Sequence, residues 1–254
     1  MNQRRAVVLI VLTGLALGGC AQKAPKISHV HVGHAVTGWH DTPGQKGLFV
    51  TAEEKGQSAM QHARDAAQPG KRMDHVQASI RRVMVDVDAS VAPERGGERY
   101  GLRQALLGAI DHMVFASEVD DASKNITTSV SGFVANAAPV LARCDSIVAF
   151  GKEAVASTNP EEVKVLAAEI VRMTQANVEG VDTDGDGVIG SKRDEYGLKQ
   201  LRRDLVAMTE REDPPYTTVS TWYLFNLIRL PSGIWAFRER TDTSGGHHGR
   251  GSSY

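Results

Sequence analysis

The residues best suited to chemistry in this chain are three aspartates at alternating positions, Asp182, Asp184 and Asp186. Ionised carboxylates with this spacing repel one another, so they favour a bound cation that neutralises them. Gly187 follows directly and permits the sharp turn that lets the three carboxylates converge, and Val188 offers a backbone carbonyl oxygen. The pattern indicates an oxygen-lined site. Ca²⁺ suits it, because this hard cation takes about six to eight oxygen ligands in flexible geometry.

The sequence DTDGDGVIG at residues 182–190 resembles the calcium-binding loop of EF-hand proteins. Helices predicted on both sides extend the resemblance over residues 160–208. The resemblance implies a helix–loop–helix module in which the three aspartates and the backbone carbonyl of Val188 bind Ca²⁺.

One position departs from that pattern. The twelfth residue of an EF-hand loop supplies a bidentate glutamate, and here it is Arg193, whose cationic side chain does not bind Ca²⁺. Asp194 and Glu195 follow at once. We expect Glu195 to replace the missing ligand in a lengthened loop, because it begins the next helix, whereas Asp194 would stay in solvent. An acidic turn that holds no ion is the alternative interpretation.

Four histidines near the N-terminus form a second cluster with metal-binding chemistry. In an extended segment His29 and His31 would share one face, with His34 and His40 close by. Such a set could hold Zn²⁺ or Cu²⁺, which favour imidazole ligands. The glycine-containing context favours a solvated tether without a tight metal site. A periplasmic transition-metal binding protein that uses His29, His31 and His34 is therefore the second function hypothesis.

Three further histidines, His62, His75 and His112, fall on different predicted helices, which raises the question of a shared metal site inside a bundle. Their angular positions argue against it, since His75 and His112 lie far from the apolar stripes of their helices. His112 shares a side of its helix with Ala105 and Ala109. Such a surface of small residues allows another helix to approach closely.

The first twenty residues carry the features of an export signal. Two arginines precede a short apolar run at residues 6–16, which is too short to span a bilayer. The tetrapeptide LGGC follows at residues 17–20 and resembles the lipobox of bacterial lipoproteins. The resemblance implies cleavage before Cys20 and a lipid on its thiol. We therefore expect a cell-envelope protein anchored to a membrane, and Ala21 favours the outer membrane, facing the periplasm.

Composition and motifs argue against several function classes. The chain balances 29 Lys and Arg against 30 Asp and Glu, without the concentrated basic surface of a nucleic-acid binder. Its two cysteines are Cys20 and Cys144, so lipid on Cys20 leaves no partner for an internal disulfide. Phosphate-binding glycine loops and the Gly-x-Ser-x-Gly and His-Glu-x-x-His motifs are missing. Cys144 falls on a predicted buried helical stripe, so it is expected to fill the core rather than to attack a substrate. We therefore expect that the protein is not an enzyme.

Helices are expected to position these groups. Apolar residues recur at helical spacing from Thr51, where a capping box with Glu54 predicts the first helix start. Asn159 and Pro160 predict the start of the helix before the acidic loop. A stripe of Leu198, Leu201, Leu205 and Met208 predicts the helix after it.

We therefore predict an all-α fold, a helical bundle with a C-terminal EF-hand-like module. The predicted organisation is a signal peptide (1–19), an irregular histidine-containing tether (20–50), a helical domain (51–240) that includes the module (160–208), and a disordered tail (241–254). The apolar segment 222–237 fits either a buried helix or a hairpin. The leading function hypothesis is a calcium-binding envelope lipoprotein with a structural or interaction role.

Overall fold

The computed structural model describes residues 26–92, 100–212, 227–229 and 235–237. Among these residues seven α-helices dominate and place the protein in the predicted all-α class. The helices are α1 (Ile27–Val36), α2 (Leu48–Ala66), α3 (Met73–Val87), α4 (Leu102–Glu118), α5 (Lys124–Ala156), α6 (Pro160–Glu179) and α7 (Leu198–Glu210). The predicted signal peptide 1–19, Cys20 and the predicted tail 241–254 lie outside the described residues.

The predicted irregular tether was wrong for the residues that form α1. This helix is buried almost all round, so it has no one-sided stripe for sequence periodicity to detect. Lys26 precedes it and provides no side-chain cap. The cap comes instead from Asp121, far along the chain, whose carboxylate accepts the amides of Ile27 at 2.5 Å and Ser28 at 2.9 Å.

Helix α1 packs against the small-residue side of α4. Ala105, Ala109 and Ala116 are fully buried there, and His112 is 6% exposed. The predicted close approach of another helix is confirmed. Because alanines keep the two backbones close, the histidines of α1 can reach His112 on α4.

Helix α2 begins at Leu48, three residues before the predicted capping box. Thr51 is therefore inside the helix, where its hydroxyl donates to the Gly47 carbonyl oxygen at 3.1 Å. Gly47 touches the end of α1 so closely that a Cβ there would lie 2.6 Å from the carbonyl carbon of Val36. This close approach requires glycine and holds α1 against the start of α2.

The core runs through all seven helices. One apolar side of α3 is buried, as is one apolar side each of α6 and α7 on either side of the acidic loop. Helix α5 packs against α3, α4, α6 and α7. It is long and apolar enough to cross a membrane by length and composition alone, a test that core helices also pass. Cys144 on α5 is fully buried, as predicted.

The predicted start of α6 is confirmed, since Asn159 caps it by accepting the Glu161 amide at 3.0 Å. After α7, residues Leu227–Arg229 (β1) and Trp235–Phe237 (β2) pair antiparallel, with Ile228 opposite Ala236. Of the two alternatives for residues 222–237, the described part forms the hairpin.

Candidate metal sites

The acidic loop, residues 182–195, joins α6 to α7. The backbone segments at its two ends are in direct contact. Gly180 ends α6 with a φ of 83°, and the next amide, of Val181, donates to the Glu195 carbonyl oxygen at 3.0 Å. A Cβ on Gly197 would lie 2.4 Å from the Gly180 nitrogen, so the chain segments touch directly. The loop is thus closed at its base before any ion is considered.

Three carboxylates converge inside this loop. One oxygen each from Asp182, Asp184 and Glu195 lies within 4.8 Å of the others. Two oxygens bound to the same Ca²⁺ at about 2.3–2.6 Å are at most about 5 Å apart, so this separation fits one calcium ion. The donor set is entirely oxygen, as calcium prefers.

Asp186, another predicted ligand, is not part of that group of carboxylates. The Asp186 carboxylate accepts the Val188 amide at 2.7 Å. The Val188 side chain is 58% exposed. Gly187 between them has a φ of 82°, the left-handed conformation that its place in the loop was expected to require.

Glu195 is fully buried and organises the C-terminal half of the loop. Its Oε2 accepts the amides of Gly190, Ser191 and Lys192 at 2.9–3.1 Å, and its Oε1 accepts the Thr183 hydroxyl at 3.3 Å. The amide of Lys192, with the other donors, outweighs burial and holds the pKa of Glu195 below its usual range. The carboxylate therefore stays ionised at neutral pH, and Oε1 keeps lone-pair capacity for a cation.

The chain places Glu195 inside the loop through a 3-10 turn at Arg193–Glu195. Arg193 and Asp194 are exposed, so the twelfth loop position faces solvent. Arg143 of α5 donates to the Asp194 carbonyl at 3.3 Å and to Asn177 on α6 at 2.8 Å. This arginine ties both sides of the loop to the bundle.

A lysine lies beside the converging carboxylates. Lys192 Nζ is 2.7 Å from Asp184 Oδ2. That contact lowers the pKa of Asp184 and raises the pKa of Lys192. The ammonium therefore neutralises part of the charge that would attract a calcium ion.

The N-terminal histidines divide between two places. His29 Nε2 lies 3.1 Å from Glu212 Oε2, and both side chains are buried. His31 and His34 instead meet His112, with ligand nitrogens of all three within 4.8 Å of one another. The alternative set of His29, His31 and His34 therefore does not come together, since His29 lies at Glu212 and His112 joins the other two. The sequence feature that could have indicated the role of His112 is its position on the small-residue side of α4, where another helix packs.

His62 takes part in a separate contact that the sequence did not indicate. Its Nδ1 lies 2.8 Å from Asp86 Oδ2, and the Ser58 hydroxyl donates to the same oxygen at 2.6 Å. The hydroxyl therefore donates to the carboxylate rather than to the imidazole. Burial also raises the pKa of the Cys144 thiol, which keeps it protonated.

No protein-family model matches this sequence, and the searches of curated proteins and of solved structures find no significantly similar chain.

Proposed function

We propose that this protein is a calcium-binding lipoprotein of the cell envelope, with a structural rather than a catalytic role. The observation that carries the proposal is the convergence of Asp182, Asp184 and the buried Glu195 in a loop whose glycines at 185, 187 and 190 have positive φ angles. In this proposal the three carboxylates hold the ion, with Asp186 and the Val188 carbonyl completing its coordination.

The surroundings of the loop favour a structural role over a switch. A calcium switch needs two arrangements of its flanking helices that differ in calcium affinity. Here Arg143 links the loop and α6 to α5, and the ends of the loop meet at Gly180 through contacts that need no ion. Calcium would therefore neutralise the loop carboxylates and stabilise a junction between α6 and α7 that already exists.

Calcium should raise the thermal stability of the mature protein prepared without its lipid-bearing Cys20 (residues 21–254, the form meant by the mature protein in every experiment below). An ion that binds only the folded state adds about 2.7 kcal/mol when its concentration is about 100 times Kd. For a chain of this size, each kcal/mol of added stability raises Tm by roughly 2–4 °C. We expect a rise in Tm of several degrees when millimolar Ca²⁺ replaces a chelator, and a smaller rise with Mg²⁺, which demands stricter geometry.

A matched pair of neighbouring acids provides the control. Glu195→Gln should abolish the calcium-dependent rise in Tm and the heat in calorimetric titration, because it removes the buried charge. Asp194→Asn should keep both, since Asp194 is exposed and outside the converging group. If the unmutated protein shows neither heat on titration nor a Tm shift, the loop is an acidic turn that binds no calcium and the proposal is wrong.

The lipid anchor is the second component of the proposal, and it rests on LGGC at residues 17–20. Cys20→Ser should abolish incorporation of labelled palmitate and release the protein from the membrane fraction. Cys144→Ser is the control and should leave labelling intact, because that thiol is buried in α5. Palmitate labelling that persists in Cys20→Ser would contradict the anchor.

A further inference from the structure

We propose that His31, His34 and His112 form a binding site for one divalent transition-metal ion of the zinc class. Their ligand nitrogens lie within 4.8 Å of one another, at the contact between α1 and α4. Neither the acidic loop nor the lipid anchor uses these residues, so this second site goes beyond the proposed function.

The distances between the imidazoles suit a tetrahedral ion. With Zn–N bonds of about 2.0–2.1 Å, two ligand nitrogens are about 3.3 Å apart. His31 Nδ1 and His112 Nδ1 share a hydrogen bond 3.2 Å long, so an ion that replaces the proton between them meets two nitrogens at this separation. His34 is three residues after His31, so both side chains lie on one face of α1. The His34 and His112 ring centroids are 4.8 Å apart, so the third imidazole lies beside the other two.

The site is built into the fold rather than displayed on a flexible segment. His31 is 7% exposed and His112 is 6% exposed, while His34 is half-buried at the edge. Their backbones belong to two packed helices, one of which Asp121 caps from a distance. Ligands on rigid elements lose little conformational freedom on binding, which favours affinity.

Aromatic side chains cover the cluster. The Trp39 ring centroid lies 4.6 Å from those of both His34 and His112, and the Phe115 ring lies 5.6 Å from that of His31. Such an apolar surround limits access of water and strengthens the interaction of a cation with its ligands. Trp39 also provides a natural fluorescent reporter at the site.

The donor chemistry selects the class of ion. Imidazole nitrogens suit Zn²⁺ and Cu²⁺, whereas Ca²⁺ and Mg²⁺ need oxygen ligands. Three protein ligands leave a fourth tetrahedral position for water or an exchangeable ligand. Zn²⁺ is the ion that this geometry fits. The acidic loop offers oxygen donors alone, so it competes poorly for Zn²⁺.

Titration of the mature protein with Zn²⁺ and Co²⁺ tests the proposal. Excess Ca²⁺ is kept present to saturate the acidic loop, and His247 and His248 of the tail are replaced by Ala to remove adventitious ligands. We expect one ion per chain with sub-micromolar affinity, the visible absorption of tetrahedral Co²⁺, and quenching by Co²⁺ of Trp39 fluorescence in a variant in which Trp222 and Trp235 are replaced by Phe. Zn²⁺ should displace Co²⁺ and abolish that absorption.

Substitutions at the cluster and outside it separate this site from other histidines. His112→Asn and His34→Asn should each weaken Zn²⁺ binding by at least about 100-fold, since loss of groups that only support a ligand costs about 10–100-fold. His34 is half-buried, so its variant tests the site even where His112→Asn impairs folding. Exposed His75→Asn and the loop variant Glu195→Gln should leave the affinity unchanged. Absence of one-to-one binding, or binding that survives His34→Asn, would overturn the proposal.

Discussion

Lys192 is the cation that lies beside the carboxylates of the proposed calcium site in the acidic loop. Its ammonium lies 2.7 Å from Asp184 Oδ2, and the contact lowers the pKa of that carboxyl. A calcium ion that binds Asp184 must separate this pair or share the carboxylate with it. The lysine therefore acts as an internal competitor for the proposed ion.

Removal of that competitor should tighten calcium binding. Lys192→Met keeps most of the length of the side chain but removes its charge. We expect Kd for Ca²⁺ to fall about two- to fivefold, the range expected for an exposed ion pair. The gain should shrink as salt screens the pair. Calorimetric titration at low and high salt measures both effects.

A second exposed lysine provides the control. Lys199 pairs with Glu179 outside the converging group, so Lys199→Met should leave Kd nearly unchanged. Equal tightening in both variants would point to net charge alone and would argue against a specific role for Lys192.

Individual site residues were predictable where the chain itself brings them together. The spacing of Asp182 and Asp184 places them in one loop, and Glu195 was preferred because it adjoins a helix start. His112 was out of reach, because its partners are about 80 residues away and meet it only after α1 packs on α4. The signal at that position was a small-residue surface, which predicts a partner helix without identifying it.

At the scale of elements, a helix was predictable from the sequence where only one of its sides is buried. Helices α3, α6 and α7 each have one buried stripe, the arrangement that apolar spacing in a sequence can indicate. Helix α1 alternates histidine and valine, a pattern that suits an extended segment equally well. Its helical state depends on enclosure by other helices and on the cap from Asp121, and neither is encoded locally.

The start of α2 illustrates the same limit at a boundary. Thr51 and Glu54 have the spacing of a capping box, yet the helix begins at Leu48. Gly47 can approach the end of α1 closely, and this contact places the chain reversal earlier than the local pattern indicates. Tertiary contact outweighs a cap worth about 1 kcal/mol.

At the scale of the whole molecule, Glu212 connects distant parts of the chain. Its carboxylate accepts the Ser123 hydroxyl and the Asn125 amide, both at 2.6 Å, and lies 3.1 Å from His29 Nε2. The contact joins the first described helix to the residues after α7 and to the start of α5. Because Glu212 is 3% exposed, this junction is part of the interior.

The protonation of this junction follows from burial and hydrogen bonds. Burial lowers the pKa of His29, and this effect exceeds the opposing contribution of Glu212. Burial alone would raise the pKa of Glu212, but the donors Ser123, Asn125 and His29 hold it below its usual range. At neutral pH a neutral imidazole therefore donates to an ionised carboxylate.

The junction should make the protein less stable as the pH falls. Both folded-state pKa values are lowered, so the unfolded chain takes up protons that the folded protein excludes, and its stability declines at low pH. The contribution of His29 is complete above its unfolded pKa of about 6.5 and is lost as the pH falls through its lower folded value. The contribution of Glu212 is lost in the same direction at a lower pH, below its unfolded pKa of about 4.3.

Urea unfolding of the mature protein between pH 8 and pH 5, with a chelator present, measures the first of these losses. The free energy of unfolding should fall below pH 6.5, with His29 contributing at most about 1.4 kcal/mol per pH unit. His29→Gln keeps a nitrogen donor for Glu212 without titrating, so it should reduce the slope. His75→Gln replaces an exposed histidine and should retain the full slope. A His29→Gln variant with the same pH dependence as the unmutated protein would show that other groups cause the loss of stability.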